Sequence, residues 1–135
     1  MMKSMIKKSI GFLIMLFSCF NVSAQTWLTD YSSALEKASS NNKNILLVFS
    51  ESDWCAQCIR LKKEVLYSDE FSDYGEQLIL LNADFPRKRI KEKQLIKQNE
   101  ALAGRFNPKG IFPYMVLLDQ AGKKMGAFID LSCPP

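Results

Sequence analysis

The sequence predicts one α/β domain whose mixed β-sheet is covered by helices on both faces. Two short apolar runs, residues 44–50 and 78–85, have the length and composition of buried strands. Stretches with helical periodicity separate these runs, so crossover connections are required and parallel pairing is favoured. Two further apolar runs near the C-terminus are divided only by a short turn, which predicts an antiparallel hairpin.

Length and charge limit the possible functions. The chain has 135 residues, of which 47% are hydrophobic, and this suits one compact core rather than two. The formal net charge is +4, and it falls to +1 without the three lysines of residues 1–24. A near-neutral domain without a basic, aromatic-rich stripe argues against nucleic-acid binding.

The N-terminus has the pattern of an export signal. Lysines at positions 3, 7 and 8 precede the apolar run Ile10–Phe20, and Val22-Ser23-Ala24 offers small residues for cleavage. The apolar run is well short of the ~20 residues of a membrane-spanning helix. We therefore expect residues 1–24 to be removed and residues 25–135 to form a periplasmic or extracellular domain.

Two alternatives to cleavage and release remain for this N-terminus. The first is an uncleaved signal that anchors the protein in the membrane. The second is a lipoprotein, because the segment ending at Cys19, "LFSC", resembles a lipidation motif, although Phe17 fits that motif poorly. Both alternatives keep the domain outside the cytoplasm.

The first helix and strand follow the predicted cleavage site. Apolar residues recur at helical spacing within residues 27–42, behind Thr29 and Asp30 as candidate capping residues. Asn44–Ser50 is then continuous and apolar, which predicts a central strand.

An amphipathic helix is predicted directly after this strand, over residues 55–66. Cys58, Leu61 and Val65 share one of its faces, and charged residues occupy the others. Cys55 therefore lies at the N-terminus of the helix.

A short helical segment within residues 68–77 leads to a second buried strand at 78–85, which Pro86 ends. The next segment, "RKRIKEK" at 87–93, is expected to be a solvated helix face, with a docking patch for an acidic partner as the alternative. It opens a predicted crossover helix whose inner positions are Leu95, Asn99, Leu102 and Phe106.

The C-terminal part predicts a loop and a hairpin. Residues 110–113 form the loop, 114–119 a strand, 120–122 a turn and 123–131 the last strand.

The thiols of "DWCAQC", Cys55 and Cys58, are the candidate functional group. Their spacing lets the sulfurs meet across one helical turn, so a disulfide can close and reopen. The positive end of the helix dipole would lower the pKa of Cys55, whereas Cys58 would be more buried. We therefore predict that Cys55 attacks a substrate disulfide and that Cys58 resolves the mixed disulfide.

Other uses of this cysteine pair fit less well. A zinc site needs four ligands, and in a sequence with no histidine Cys133 and a carboxylate would have to complete it. A structural staple would gain little stability from so small a loop. The absence of histidine also excludes Ser-His and Cys-His catalytic pairs. We expect a redox couple that needs no metal or organic cofactor.

The whole arrangement resembles the thioredoxin family, in particular small exported bacterial thioredoxin-like proteins. The resemblance covers Leu35–Ile129: an apolar strand, "DWCAQC" opening a helix, the "LNADF" strand, a crossover helix, and "GIFPYMVLLD" followed by "AGK" and a last strand. It implies a three-layer α/β/α sandwich with a mixed central sheet, and thiol-disulfide oxidoreductase activity on protein cysteines.

The resemblance also implies substrate-binding residues. Phe112-Pro113 is similar to the segment with the family's cis-proline, which helps to align the substrate backbone. Trp54 is similar to the tryptophan that shields the thiols and borders the substrate groove. An ordinary loop proline and plain core packing are the respective alternatives.

Three features depart from the family pattern. Phe49 replaces a buried aspartate that relays protons to the resolving thiol, which leaves Glu51 or Asp53 as a possible relay. Ala56-Gln57 between the cysteines matches neither typical reductants nor strong oxidants. The sequence ends at Cys133-Pro134-Pro135, where the family usually adds a final helix, so one side of the sheet is expected to be less covered.

These features together predict a monomeric, exported reductant of protein thiols that depends on an upstream redox partner protein. We expect no nucleic-acid partner and no membrane span after signal cleavage. The reducing direction is favoured because an oxidising compartment needs dedicated reductants and because no histidine between the cysteines stabilises the thiolate. A disulfide oxidase or isomerase and a non-catalytic binding module are the alternatives.

Overall fold

The computed structural model describes residues 25–88 and 92–129, in which five strands form one sheet flanked by four helices. The strands are β1 (Trp27–Leu28), β2 (Asn44–Ser50), β3 (Leu78–Asp84), β4 (Tyr114–Leu118) and β5 (Lys124–Ile129). The helices are α1 (Tyr31–Asn41), α2 (Ala56–Leu61), α3 (Asp69–Gly75) and α4 (Lys93–Phe106), and a π-helical turn, Lys62–Leu66, continues α2.

The sheet is mixed, with the strand order β1-β3-β2-β4-β5. The first three strands are parallel, whereas β4 and β5 are antiparallel to their neighbours. At one end of the sheet, Ser50 pairs with Asp84 and Phe49 with Tyr114. The segments that follow β2 and β3 and the segment that precedes β4 therefore meet at this end.

Two apolar layers cover the sheet. One face packs against α1 and α4 and buries Ile45, Leu47 and Phe49 of β2. The other face, under α2 and the π-helical turn, buries Leu46 and Val48 of the same strand. Successive strand residues point to opposite faces, so β2 contributes to both layers. The predicted three-layer sandwich is confirmed.

Most elements lie close to their predicted positions. The predicted helix after the cysteines changes to a π-helical turn over Lys62–Leu66. The C-terminal hairpin forms as predicted, and its second strand is described to Ile129. On this strand Met125 and Phe128 are more than half exposed.

Strand β1 is the element that the sequence pattern did not predict. Trp27 and Leu28 pair in parallel with Leu80 and Leu81 of β3. A strand of two residues is too short to show a period, and it forms because the edge of β3 offers backbone partners.

Several sequence predictions concern residues outside the described ranges. They are the signal peptide at 1–24, lipidation at Cys19 and every role considered for Cys133. No helix in the described part of the chain is both long and apolar enough to cross a membrane.

The predicted N-cap of α1 is confirmed and gives a stability prediction. Asp30 Oδ1 accepts hydrogen bonds of 2.7 Å from the Ser33 hydroxyl and from the Ser33 backbone N–H. Asp30→Ala is expected to lower the free energy of unfolding at pH 7 by about 1 kcal/mol, as measured by urea denaturation. Asp30→Asn is the matched control, because it keeps a capping oxygen and should lose much less.

This cap should weaken in acid. The side-chain and backbone hydrogen bonds from Ser33 hold the pKa of Asp30 below its ordinary value. A carboxyl with a lowered folded-state pKa stabilises the fold above its unfolded-state pKa, near 3.8, and loses that contribution as the pH falls through the folded value. The difference between wild type and Asp30→Ala should therefore shrink below about pH 4. A difference that stayed constant down to pH 2 would contradict this account.

Candidate active site

The two cysteines lie at the start of α2, at the end of the sheet where β2 ends. Cys55 is the N-cap residue of α2, and its Sγ accepts a 3.1 Å hydrogen bond from the backbone N–H of Cys58. The turn before it is closed by a 3.1 Å hydrogen bond from the Cys55 N–H to the Glu51 carbonyl oxygen. Cys55 and Cys58 form a disulfide with their Cα atoms 5.2 Å apart.

The two sulfur-bearing residues differ in exposure as predicted. Cys58 is 4% exposed, whereas Cys55 is only half-buried. A partner molecule therefore has access to Cys55 first. When the disulfide is open, the Cys58 N–H that now bonds Cys55 Sγ is a donor for a Cys55 thiolate.

The Phe112-Pro113 peptide bond is cis, as predicted. Pro113 is buried directly before β4 and lines the same cavity as Cys58. The Phe112 ring packs edge-on against Phe85, with 5.4 Å between the ring centroids. The Phe112 side chain thus serves the packing of this end of the sheet.

Trp54, adjacent to Cys55, is 40% exposed, and Arg87 covers one face of its ring. The sequence did not predict this contact. The guanidinium carbon of Arg87 lies 3.4 Å from the Trp54 ring centroid, which is close cation–π stacking. Trp54 is therefore an exposed residue beside Cys55 rather than part of the core.

Asp53 holds the backbone that carries Arg87. Its Oδ1 accepts from the Arg87 N–H at 2.9 Å and its Oδ2 from the Lys88 N–H at 2.6 Å. The prediction that residues 87–88 lie on a helix face is wrong, because these amides bond Asp53 and α4 begins only at Lys93. Arg87 and Lys88 consequently lie in a loop that follows β3, beside the cysteine motif.

A cavity of about 410 Å³ lies behind Cys58, between α2 and the sheet. Its walls include apolar residues such as Val48 and Leu66, but also the polar side chains of Ser50, Ser52 and Asn82. Burying polar groups in an apolar layer costs free energy unless they are hydrogen-bonded. The polar side chains of Ser50, Ser52 and Asn82 therefore need hydrogen-bond partners.

Asp84 supplies those partners. It is 8% exposed, and it accepts hydrogen bonds from the Ser52 N–H at 2.9 Å and from the Ser52 hydroxyl at 2.6 Å. The Ser50 hydroxyl lies 2.9 Å from Asn82 Oδ1 and 3.3 Å from Asp84 Oδ1, so one proton can be donated to either acceptor. Ser50 thus links the Cys58 cavity with the buried carboxylate of Asp84.

Phe49, which stands where a buried acid was expected, belongs to the α1 and α4 layer and does not line the Cys58 cavity. The next residue, Ser50, faces the Cys58 cavity. Ser50 therefore shares a cavity with Cys58 and is a hydrogen-bonding neighbour of the Asp84 carboxylate.

Glu51 and Asp53, the predicted relay candidates, lie beside the motif but not among the residues lining the Cys58 cavity. Burial raises the pKa of Glu51, and the positive charge of Arg87 opposes this shift in part. Asp53 bonds the backbone of Arg87 and Lys88, as described above.

The sequence carries a signal for Asp84 within the apolar run of β3. Asn82 and Asp84 interrupt an otherwise apolar strand at a spacing of two, which places both on one face. No comparable signal existed for Arg87, whose place on Trp54 depends on the packing of two loops.

Within residues 25–88 and 92–129, no group of three or more His, Cys, Asp and Glu residues is arranged to hold a metal ion. The chemistry that this part of the chain offers at its active site is that of two sulfurs and a buried carboxylate.

Comparison with known proteins agrees with this geometry. The disulfide bond reductase DsbH of Chlamydia pneumoniae is 34% identical over 96 residues, which are 70% of this chain and 57% of that protein. The thioredoxin-related protein DsbJ of the same organism is 30% identical over 100 residues, 73% of this chain and 28% of that protein. The chain thus spans little more than half of one curated relative and under a third of the other.

A solved structure of a DsbH oxidoreductase superposes with a TM-score of 0.72 at 31% identity, covering 78% of this chain and 73% of that one. A family model described as thioredoxin-like matches residues 26–119. This match runs from β1 to the end of β4 and contains both cysteines and Pro113. The chain therefore belongs to the thioredoxin-like family.

Proposed function

We propose that this chain catalyses thiol-disulfide exchange on protein cysteines outside the cytoplasm and acts there as a reductant. The observation that carries the proposal is the asymmetric pair at the start of α2, with Cys55 accessible and Cys58 buried behind it. The similarity to DsbH, a disulfide bond reductase, supports the reducing direction. The signal-like residues 1–24 support export.

The first step is attack on a client disulfide. The Cys55 thiolate, with the Cys58 N–H as donor, forms a bond to one client sulfur while the client S–S bond breaks. The second client sulfur leaves as a thiolate and takes a proton from solvent. The product is a mixed disulfide between Cys55 and the client.

Client binding is assigned to the rim of the site. Trp54 borders Cys55 on one side, and the Phe112-Pro113 segment lies at the same end of the sheet, directly before β4. We assign to Pro113 and its neighbour Phe112 the alignment of the client backbone and to Trp54 an apolar contact beside the reacting sulfurs.

The second step requires the buried thiol of Cys58 to lose its proton. We propose that this proton passes through the Ser50 hydroxyl to Asp84, because Ser50 lines the Cys58 cavity and reaches the Asp84 carboxylate at 3.3 Å. The relay role considered for Glu51 and Asp53 is assigned to Asp84 instead, because Ser50, which lines this cavity, is within hydrogen-bonding distance of the Asp84 carboxylate. The Cys58 thiolate then attacks Cys55 Sγ, which closes the Cys55–Cys58 disulfide and releases the client cysteine as a thiolate.

Each cycle transfers two electrons to the client and leaves the enzyme oxidised. A second protein that carries a dithiol must therefore reduce the Cys55–Cys58 disulfide before the next turnover. No organic cofactor or metal takes part in these steps, and a monomer suffices for them.

The reduction potential tests the direction. After equilibration of residues 25–135 with glutathione buffers, the thiols are trapped by alkylation and the oxidised fraction is measured by mass spectrometry. We expect a value near the thioredoxin end of the family range, about −270 mV, rather than near about −120 mV as in DsbA.

A Cys133→Ser variant is the control in this titration, because it removes the thiol outside the pair. A potential above about −180 mV, the value of protein disulfide isomerase, would contradict the reductant assignment and indicate an oxidase or isomerase.

A further inference from the structure

Arg87 and Lys88, which follow β3, are held at the rim of the active site by two independent contacts. The Asp53 carboxylate binds both of their backbone N–H groups, and the Arg87 guanidinium stacks on Trp54. Both basic side chains are exposed. Trp54, Arg87 and Lys88 are called the cationic rim below.

These contacts leave the N–H donors of the Arg87 guanidinium available to bind an anion. Stacking on Trp54 uses one face of the planar guanidinium, whereas its N–H donors lie in the plane of the group and point outward from the stack. Asp53 engages the backbone amides at Arg87 and Lys88, so the loop is fixed through its main chain. An arginine that is immobilised in this way loses less entropy when it binds an anion.

The rim lies next to the reacting sulfur. Trp54 precedes Cys55, and consecutive Cα atoms are about 3.8 Å apart. A client joined to Cys55 in extended form advances about 3.3–3.6 Å per residue. Acidic side chains about two to four residues from the client cysteine therefore come within reach of Arg87 and Lys88.

We propose that the cationic rim selects client proteins whose reactive cysteine is flanked by carboxylates. This inference rests on the proposed function. Arg87 is the specificity-determining residue, and Lys88 adds long-range attraction. Arg87 suits this role better than a lysine would, because its fork of donors matches a carboxylate while its face remains on the ring.

The test compares three synthetic peptides that differ only at the positions two to four residues from a disulfide-bonded cysteine, which carry Glu, Gln or Lys. Reduced residues 25–135 are mixed with each peptide, and the rate of peptide reduction is followed by chromatography after acid quench. We expect the Glu peptide to react about fivefold faster than the Gln peptide in 20 mM salt, and the Lys peptide to react slowest. In 500 mM salt the ratio should fall towards one.

Three variants make the test specific. Arg87→Gln should bring the Glu/Gln rate ratio close to one, and Arg87→Lys, which keeps the charge but not the planar fork, should keep an intermediate ratio. Lys124→Gln removes the same charge at the start of β5, where Lys124 pairs with Leu118 at the far end of the sheet. This variant should keep the wild-type ratio.

The outcomes separate this inference from the proposed function. If the wild type reduces all three peptides at equal rates, or if Lys124→Gln lowers the ratio as much as Arg87→Gln, the specificity role of the rim is refuted while the reductase function stands. If the wild type reduces none of the peptides, nor any protein disulfide, the proposed function itself fails. Binding to vesicles of anionic lipid with no peptide preference would assign the rim to a membrane surface and would also refute the inference.

Discussion

Cys55→Ser is expected to lower the rate of thiol-disulfide exchange by about 1,000-fold or more, whereas Cys58→Ser should stop the reaction halfway. Removal of the attacking sulfur eliminates the covalent step, and no other group at the site can replace it. With Cys55 present and Cys58 replaced, the mixed disulfide forms but lacks its intramolecular partner. The second variant should therefore accumulate covalent complexes with client proteins.

The measurement is non-reducing electrophoresis and mass spectrometry after expression in an exporting host, with and without dithiothreitol. All variants carry Cys133→Ser, so that a captured protein can be attributed to Cys55. The double variant Cys55→Ser/Cys58→Ser is the matched control and should capture nothing. Complexes of Cys58→Ser should disappear on reduction, and digestion should place the client cysteine on Cys55.

The opposite result would change the functional class. If Cys58→Ser captures no protein and the native disulfide resists strong reductants, the pair does not turn over. The domain would then be a thioredoxin-fold binding module with a fixed disulfide.

The features predicted from sequence are those that local patterns determine. Residues 44–50 form β2 at the predicted bounds, since a short apolar run rich in β-branched and aromatic residues and bounded by polar ones favours a buried strand over a helix. The position of Cys55 at the helix start and the burial of Cys58 follow from helical periodicity alone. The cis bond before Pro113 followed from the family resemblance, because nothing in the local sequence requires it.

The features missed are those that depend on contacts between distant segments. Strand β1 has two residues and exists only through its pairing with β3. Arg87 is 33 positions from Trp54, and both their stacking and the Asp53 hydrogen bonds join two loops. Helical periodicity continued the charged segment into α4, but the Asp53 contacts draw Arg87 and Lys88 into a loop instead.

The proposed proton acceptor also depends on a contact between distant segments. Sequence proximity to the cysteines favours Glu51 and Asp53. The proposal for Asp84 is based instead on the sheet, where Ser50 and Asp84 are paired across β2 and β3 and Ser50 lines the Cys58 cavity.

The second large effect is expected in the resolving step. Asp84→Asn should slow release of the client from Cys55 by about 100-fold at pH 7, the range for the loss of a positioned general base. Ser50→Ala should have a similar effect, because it removes the hydroxyl that links Asp84 to the Cys58 cavity. Formation of the mixed disulfide should change little in either variant, since the first step uses Cys55.

The pH dependence distinguishes a proton path from a change in packing. Without the path, Cys58 must lose its proton to solvent, and an ordinary thiol does so near pH 8.5. Release by Asp84→Asn and Ser50→Ala should therefore rise about tenfold per pH unit from pH 6 to pH 8 and approach the wild-type rate above about pH 9. A variant that was merely misfolded would stay slow at every pH.

Stopped-flow measurement of client release from a preformed mixed disulfide provides these rates, and urea denaturation confirms that each variant is folded. Asp73→Asn, which removes an exposed carboxylate from α3, is the matched control and should follow the wild-type profile. If Ser50→Ala follows that profile while Asp84→Asn does not, the carboxylate acts on Cys58 without the serine. If both variants follow it, the Asp84 carboxylate only anchors the turn at Ser52, and solvent in the cavity deprotonates Cys58 directly.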